Sequence, residues 1–206
     1  MSFSNTSTGS KPSDPYTSKN TDDATTDQKI KGLEKFVTSC KYGMMTTHDT
    51  SSSKLVSRCM AIAATENGGV DLLFFTNTES HKTDELQKNN AINIAFINSS
   101  GEWASVSGDA EVLTDRSLVK KHYTPTLKAW VGDLQDGKHD GSENDPRIGV
   151  IRVKTQTVTY AVSNKTFIGA AVEIAKGAVT GDTANVNKLR EISEDEIQTW
   201  RSLHQN

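Results

Sequence analysis

Apolar side chains recur along this chain in two rhythms. Between residues 28 and 40, Ile30, Leu33, Phe36, Val37 and Cys40 fall on one face at helical spacing. From residue 41 the spacing drops to two. Residues 41–47 read as a short strand. Residues 53–65 alternate, with Val56, Arg58, Met60 and Ile62 sharing a face. Glu66-Asn67-Gly68-Gly69 then leads into Val70–Thr76, and Asn-Gly between two apolar runs predicts a hairpin. Residues 79–90 are polar and helix-permissive. Ala91–Ile97 is another strand, and Ser99-Ser100-Gly101 turns the chain into Trp103–Leu113. There Ala104, Val106, Ala110 and Val112 oppose Trp103, Ser105, Ser107, Asp109 and Glu111.

Residues 115–134 predict a helical region interrupted near Pro125, and the Gly-, Asp- and Asn-rich residues 135–146 a loop. Ile148–Lys154 and Thr157–Ser163 predict two strands, and residues 166–176 a helix of small side chains. Ser193-Glu194-Asp195-Glu196 is a capping box opening a last helix with Ile197, Trp200 and Leu203. Seven strand-like runs joined mostly by short turns predict a mainly β protein, one antiparallel barrel or sandwich with peripheral helices. The crossings are too short for an alternating parallel sheet.

Composition divides the chain. Residues 1–27 hold 12 Ser or Thr and four apolar side chains, too few to offset the entropy of ordering, so they are expected to be disordered. Residues 28–165 form the globular part, and residues 166–206 are expected to be a C-terminal helical extension. The 23 basic and 26 acidic residues give a net charge of -3, which disfavours nucleic-acid binding through a basic face. No apolar run approaches membrane-spanning length. The first residues have neither the charged-then-apolar layout of a secretory signal nor the Arg-rich, acid-poor composition of a mitochondrial transit peptide. Two cysteines, Cys40 and Cys59, make no disulfide framework, which points to a reducing compartment such as the cytoplasm.

The candidate chemistry centres on Phe74-Phe75-Thr76-Asn77-Thr78-Glu79-Ser80-His81-Lys82, where an apolar strand hands over to a helix. Unpaired amides at a helix start, a lysine, a histidine and a serine suit a phosphate monoester. The same residues also fit a plain helix cap with a solvated lysine. Arg58 lies on an apolar strand face and needs a partner, either an anion or a carboxylate such as Asp71 or Glu85. Trp103 and Trp130 could stack on a planar ring or anchor a rim. The loop around His139, with Asp136, Asp140, Glu143 and Asp145, could hold a cation but reads more simply as a solvated acidic loop. No His or Cys pair has metal-ligand spacing, and no nucleophile elbow or Gly-rich phosphate fingerprint is present.

The order Ser57-Arg58-Cys59-Met60, Phe75-Thr76-Asn77, Ser80-His81-Lys82 and Trp103-Ala104-Ser105-Val106-Ser107-Gly108 resembles the FMN-binding split barrels related to pyridoxamine 5′-phosphate oxidase. Ala129-Trp130 and the strands from Asp145-Pro146-Arg147 to Tyr160 look like the general-stress-protein branch. Residues 28–165 are similar to the fungal blue-light-inducible proteins of that branch. The resemblance implies a split β-barrel and a two-fold homodimer with two FMN molecules in clefts between subunits. By position, Arg58, Cys59 and Met60 would run along the ribityl chain and phosphate. Phe75 and Thr76 would edge the ring or ribityl region, and Ser80, His81 and Lys82 would bind the phosphate. Trp103 and Trp130 would approach the flavin, partly from the second subunit.

The chain departs from the oxidases in having His81 where they have Arg. It also lacks the C-terminal Arg-x-His unit, since Arg201-Ser202-Leu203-His204 has the wrong spacing. That argues against pyridoxamine-phosphate oxidation. The implied function is a flavoprotein, an oxidoreductase of undefined substrate linked to stress or light responses. The alternatives are a non-catalytic flavin store or sensor, or a barrel that binds haem or the deazaflavin F420.

Overall fold

A computed structural model describes residues 14–163 and 167–205. Two helices come first, α1 (Pro15–Asn20) and α2 (Thr26–Cys40). Strands β1 (Tyr42–Asp49), β2 (Lys54–Glu66) and β3 (Asp71–Asn77) follow, then α3 (His81–Lys88), β4 (Ala91–Ile97) and β5 (Trp103–Leu113). Next come α4 (Arg116–His122), a 3-10 turn (Pro125–Leu127) and α5 (Lys128–Val131). The chain continues with β6 (Ile148–Ser163), α6 (Phe167–Thr180), β7 (Asn187–Ile192) and α7 (Glu194–Leu203).

All strand pairs are antiparallel, in the order β3-β2-β1-β4-β5-β6-β7, and β3 also pairs with β6. That extra pairing closes six strands into a barrel and leaves β7 outside the ring. The long strand β6 makes this possible. One of its edges lies along β5 throughout, while the other pairs first with β3 (Ile148–Val153) and then with β7 (Val158–Ser163). A bulge between Ser107 and Gly108 bends the β5–β6 pair at the changeover. A side chain at Gly108 would collide with the Lys154 carbonyl, so glycine is required at this approach. The expected break at residues 155–156 is therefore a bend inside one strand, because no Gly, Pro or Asn ends the run there. The seventh strand is β7, within the segment expected to be helical.

Alternating side chains fill the barrel. Met45, Phe74, Ile94, Phe96, Val106, Ile151, Val158 and Tyr160 are buried together, and Ile30, Leu33, Phe36 and Val37 of α2 plug one end. Each such side chain contributes about 1.5–3 kcal/mol by leaving water. A smaller cluster of Leu73, Val119, Ile148 and Val150 lies outside the barrel wall beneath α4. The β2–β3 hairpin turns as the sequence predicts, with Asn67, Gly68 and Gly69 at φ values of 53°, 68° and 90°. The Ser193/Glu196 capping box is also formed.

The disordered tail needs correction. Residues 1–13 lie outside the described residues, but the chain is ordered from residue 14. Asn20 is buried; its carboxamide accepts from the amides of Val186 (3.1 Å) and Asn187 (3.0 Å) and donates to the Ala184 carbonyl (3.0 Å). Asp22 pairs with Arg190 at 2.6 Å. This polar segment is held by hydrogen bonds to residues more than 160 positions away, which composition cannot reveal.

Two buried ion pairs fasten the ends and loops. Asp71 at the start of β3 accepts from Arg201 of α7 (2.9 and 2.7 Å), Asn67 (2.7 Å) and the Thr155 amide (3.0 Å). Asp145 accepts from the Arg147 side chain (3.1 and 2.7 Å) and from the amides of Arg147 (2.9 Å) and Gly141 (2.7 Å). Burial pushes the Asp145 carboxyl up, but these donors outweigh it and bring it down to about 2, from an ordinary 3.8. A carboxyl lowered in the folded chain stabilises it fully above the ordinary value and less as the pH falls through the folded value. Unfolding between about pH 4 and pH 2 should therefore flatten in Asp145→Asn, read by circular dichroism at a series of pH values. An acid limb identical to that of the wild type would refute the assignment.

Candidate functional site

The junction of β3 and α3 is set by hydrogen bonds rather than packing. Both the amide and the hydroxyl of Thr78 donate to the Arg147 carbonyl (2.7 and 3.1 Å). The buried Thr83 hydroxyl reaches back to the carbonyls of Thr78 (2.8 Å) and Ser80 (2.5 Å). Ser80 occupies the N-cap of α3, yet its side chain caps no amide. Its hydroxyl instead accepts from Lys82 Nζ at 2.9 Å. The helix start thus keeps its donors uncapped by a side chain, with an ammonium beside them.

Arg58 projects from the inward face of β2, opposite Met45 in register. Its guanidinium forks onto Glu85 of α3 (2.9 and 2.8 Å) and donates to Thr47 Oγ1 (2.8 Å). Thr47 donates in turn to Glu85 at 2.5 Å. Of the two carboxylates considered for Arg58, the partner is Glu85; Asp71 belongs to Arg201. Burial raises the Glu85 pKa, and the hydrogen bonds from Arg58 and Thr47, with the charges of Arg58 and His81, hold it below the usual range. Lys82 behaves oppositely. Burial and then the Arg58 charge lower its pKa, and Glu85 only partly compensates. Among the described residues Lys82 has no acidic partner within ion-pair distance. His81 is exposed and lies 3.4 Å from Glu85 and 3.8 Å from Asp49.

The remaining predicted residues do not join this group within one chain. Met60 packs against the barrel core and Cys59 points outward from the opposite face of β2. Thr76 is buried and donates to the Asn77 carbonyl, while Phe75 packs in the outer cluster. Trp103 is on the outward face of β5, with β4 and β1 between it and β2. Trp130 is 86% exposed on α5. Thr47 escaped the sequence reading, and Glu85 entered it only as one of two possible partners for Arg58. Glu85 stands four residues after His81, a spacing that puts both on one side of a helix and could have exposed it.

Asp49, His81 and Glu85 are the three side chains close enough to suggest a metal site among the described residues. Both Glu85 oxygens are taken by Arg58, and Asp49 is held by Ser51 and Ser52, so the group reads as an ion-pair network. The acidic loop is likewise self-satisfied, with Asp136 bonded to His139, Asp140 to the Ser142 amide and Asp145 to Arg147.

A closed six-stranded antiparallel barrel flanked by helices, with a cationic group where β3 meets α3, defines a split-barrel protein. The chain belongs to the pyridoxamine 5′-phosphate oxidase-like family, whose sequence model matches residues 28–185. It is 59% identical over 204 residues to protein bli-3 of Neurospora crassa, covering 98% of each chain. Among solved structures it is similar to a Clostridium acetobutylicum protein related to general stress protein 26. That match has 17% identity and a TM-score of 0.57, covering 83% of this chain and 98% of that one. A putative general stress protein 26 from Jannaschia has 15% identity and a TM-score of 0.58, covering 79% and 95%. A Nostoc punctiforme protein described as pyridoxamine 5′-phosphate oxidase-related and FMN-binding has 11% identity and a TM-score of 0.50, covering 65% and 80%. At these identities the solved structures share the fold.

Proposed function

We propose that the protein binds FMN as a two-fold homodimer, with the phosphate at the start of α3. The carrying observation is Lys82, a half-buried ammonium with a hydroxyl for its partner, next to Arg58 and uncapped helix amides. An anion there would satisfy the lysine, the amides and the Ser80 hydroxyl together. Arg58 acts mainly by fixing Glu85 and by adding positive potential. The family and the FMN-binding description of the Nostoc relative support the same ligand.

The ring end needs a second copy. Within one chain Trp103 is on the far side of the sheet from β2 and Trp130 is turned to solvent, whereas the outward face of β2, β1 and β4 is open. It exposes Tyr42, Met44, Leu55 and Ile97, an apolar surface of the kind that two copies cover. Pairing there would let Trp103 or Trp130 of the partner approach the flavin. The bound flavin would supply hydride or electron transfer, while this chain's residues bind and orient it. Pyridoxamine phosphate is a poor candidate substrate. Arg201 is engaged by Asp71 and the Thr155 carbonyl, and His204 stacks on Trp200. A reducing compartment such as the cytoplasm suits the two free thiols. No helix of the described residues is long and apolar enough to cross a membrane.

The test is a visible spectrum of freshly purified full-length protein, with a mass for any released chromophore and for the assembly. A flavin spectrum and a dimer are expected. Protein that stays colourless after incubation with FMN overturns the reading, and a haem or F420 spectrum would replace the flavin with that ligand. Rapid anaerobic reduction by a nicotinamide cofactor would mark an oxidoreductase, and failure with every common donor a flavin store or sensor.

A further inference from the structure

On the outward face of β5, β6 and β7 lies a cavity of about 420 Å³ roofed by α1. Ser105, Thr159 and Glu191 are direct cross-strand neighbours on its floor, and Trp103 stands in the adjacent row. The roof is built in advance, because the Asn20 hydrogen bonds pin α1 over the start of β7.

Among the described residues two polar groups of the floor lack protein partners, and two hydroxyls keep a proton free to donate. The Thr159 hydroxyl is buried with no hydrogen bond, a condition that native structures rarely leave unexplained. The Glu191 carboxylate has neither an ion pair nor a hydrogen bond among the described residues. Asn93 donates to the Ser105 and Ser107 hydroxyls (2.8 and 3.0 Å), which leaves both hydroxyl protons free to donate. Among the described residues no Lys, Arg or His lines the cavity.

We propose that this cavity binds a planar, positively charged nitrogen heterocycle of pyridinium size that carries no phosphate. The Trp103 indole offers a face for a flat cation, Glu191 offers the countercharge, and Thr159 with the serines offers hydrogen bonds to a polar substituent. A phosphate would meet a carboxylate with no cation to offset it. The volume falls in the lower range of small-molecule sites. The proposal goes beyond flavin binding: the cavity lies outside the Arg58–Lys82 group of the same chain, and it assigns Trp130 rather than Trp103 to the partner's flavin.

The test titrates flavin-free full-length protein with 1-methylnicotinamide, neutral nicotinamide and nicotinamide mononucleotide by calorimetry. The methylated cation should bind at least about tenfold more tightly than the other two. Glu191→Gln should remove that preference and leave binding of the neutral ring unchanged. Thr159→Val should weaken both rings, a second readout should Glu191→Gln fail to fold. No heat from the cation at millimolar concentration overturns the proposal, as does an unchanged preference in Glu191→Gln. FMN displacing the cation mole for mole overturns it too and gives the cavity to the flavin ring. Cation binding by a protein that never takes up FMN would sink the flavin reading alone.

Discussion

Lys82→Met should weaken FMN binding by roughly 10- to 100-fold while the flavin-free protein melts no lower than the wild type. The two signs have one cause. The ammonium is half-buried beside Arg58, and both burial and that neighbour disfavour its charge, which is why its pKa is lowered. A methionine keeps the aliphatic stem and removes the unfavourable charge. It also frees the Ser80 hydroxyl to cap the first amides of α3. Stability is held or raised, whereas a phosphate loses its only uncommitted formal cation in this group. Flavin fluorescence quenching gives the affinity and scanning calorimetry the melting temperature. An unchanged dissociation constant would remove the phosphate from this junction. A lower melting temperature would show Lys82 to be a structural contact. Such a trade of stability for binding is the usual mark of a functional charge.

Asp71→Ala should destabilise the fold by about 3–5 kcal/mol, a fall of about 6–20 °C in melting temperature for a chain of this length. The carboxylate holds three partners from distant elements: Arg201 on α7, Asn67 in the hairpin turn and the Thr155 amide at the bend of β6. Its removal leaves a guanidinium that is mostly shielded from water without its counterion. Arg201→Ala should cost less, because Asp71 then keeps two donors. Thermal melts followed by far-ultraviolet circular dichroism separate the two variants. Equal losses, or a loss below about 1 kcal/mol for Asp71→Ala, would show that α7 is not fastened through this pair.

Much of the barrel was legible from local pattern. The alternation of Ala104, Val106 and Ala110 against Trp103, Ser105 and Ser107 assigns inward and outward faces correctly, because strand side chains alternate wherever the strand lies. The candidate site was legible only in part. Ser80 and Lys82 could be placed at a helix start because capping chemistry is local. That Arg58 needs a partner follows from its apolar face, but the choice of Glu85 over Asp71 does not. The choice depends on how α3 meets the barrel and on Arg201 having claimed Asp71.

The amino-acid order by itself determined the strand faces, the Asn67-Gly68-Gly69 turn, the capped start of α7 and the family resemblance. These depend on neighbours a few residues apart and on the order of short motifs. Only the tertiary structure decided that β6 is one strand whose edge is divided between β3 and β7. It alone strapped residues 14–25 onto β7 and kept Trp103 apart from Lys82. Those outcomes rest on barrel closure and on hydrogen bonds between residues up to 171 positions apart, whose energy no local pattern carries.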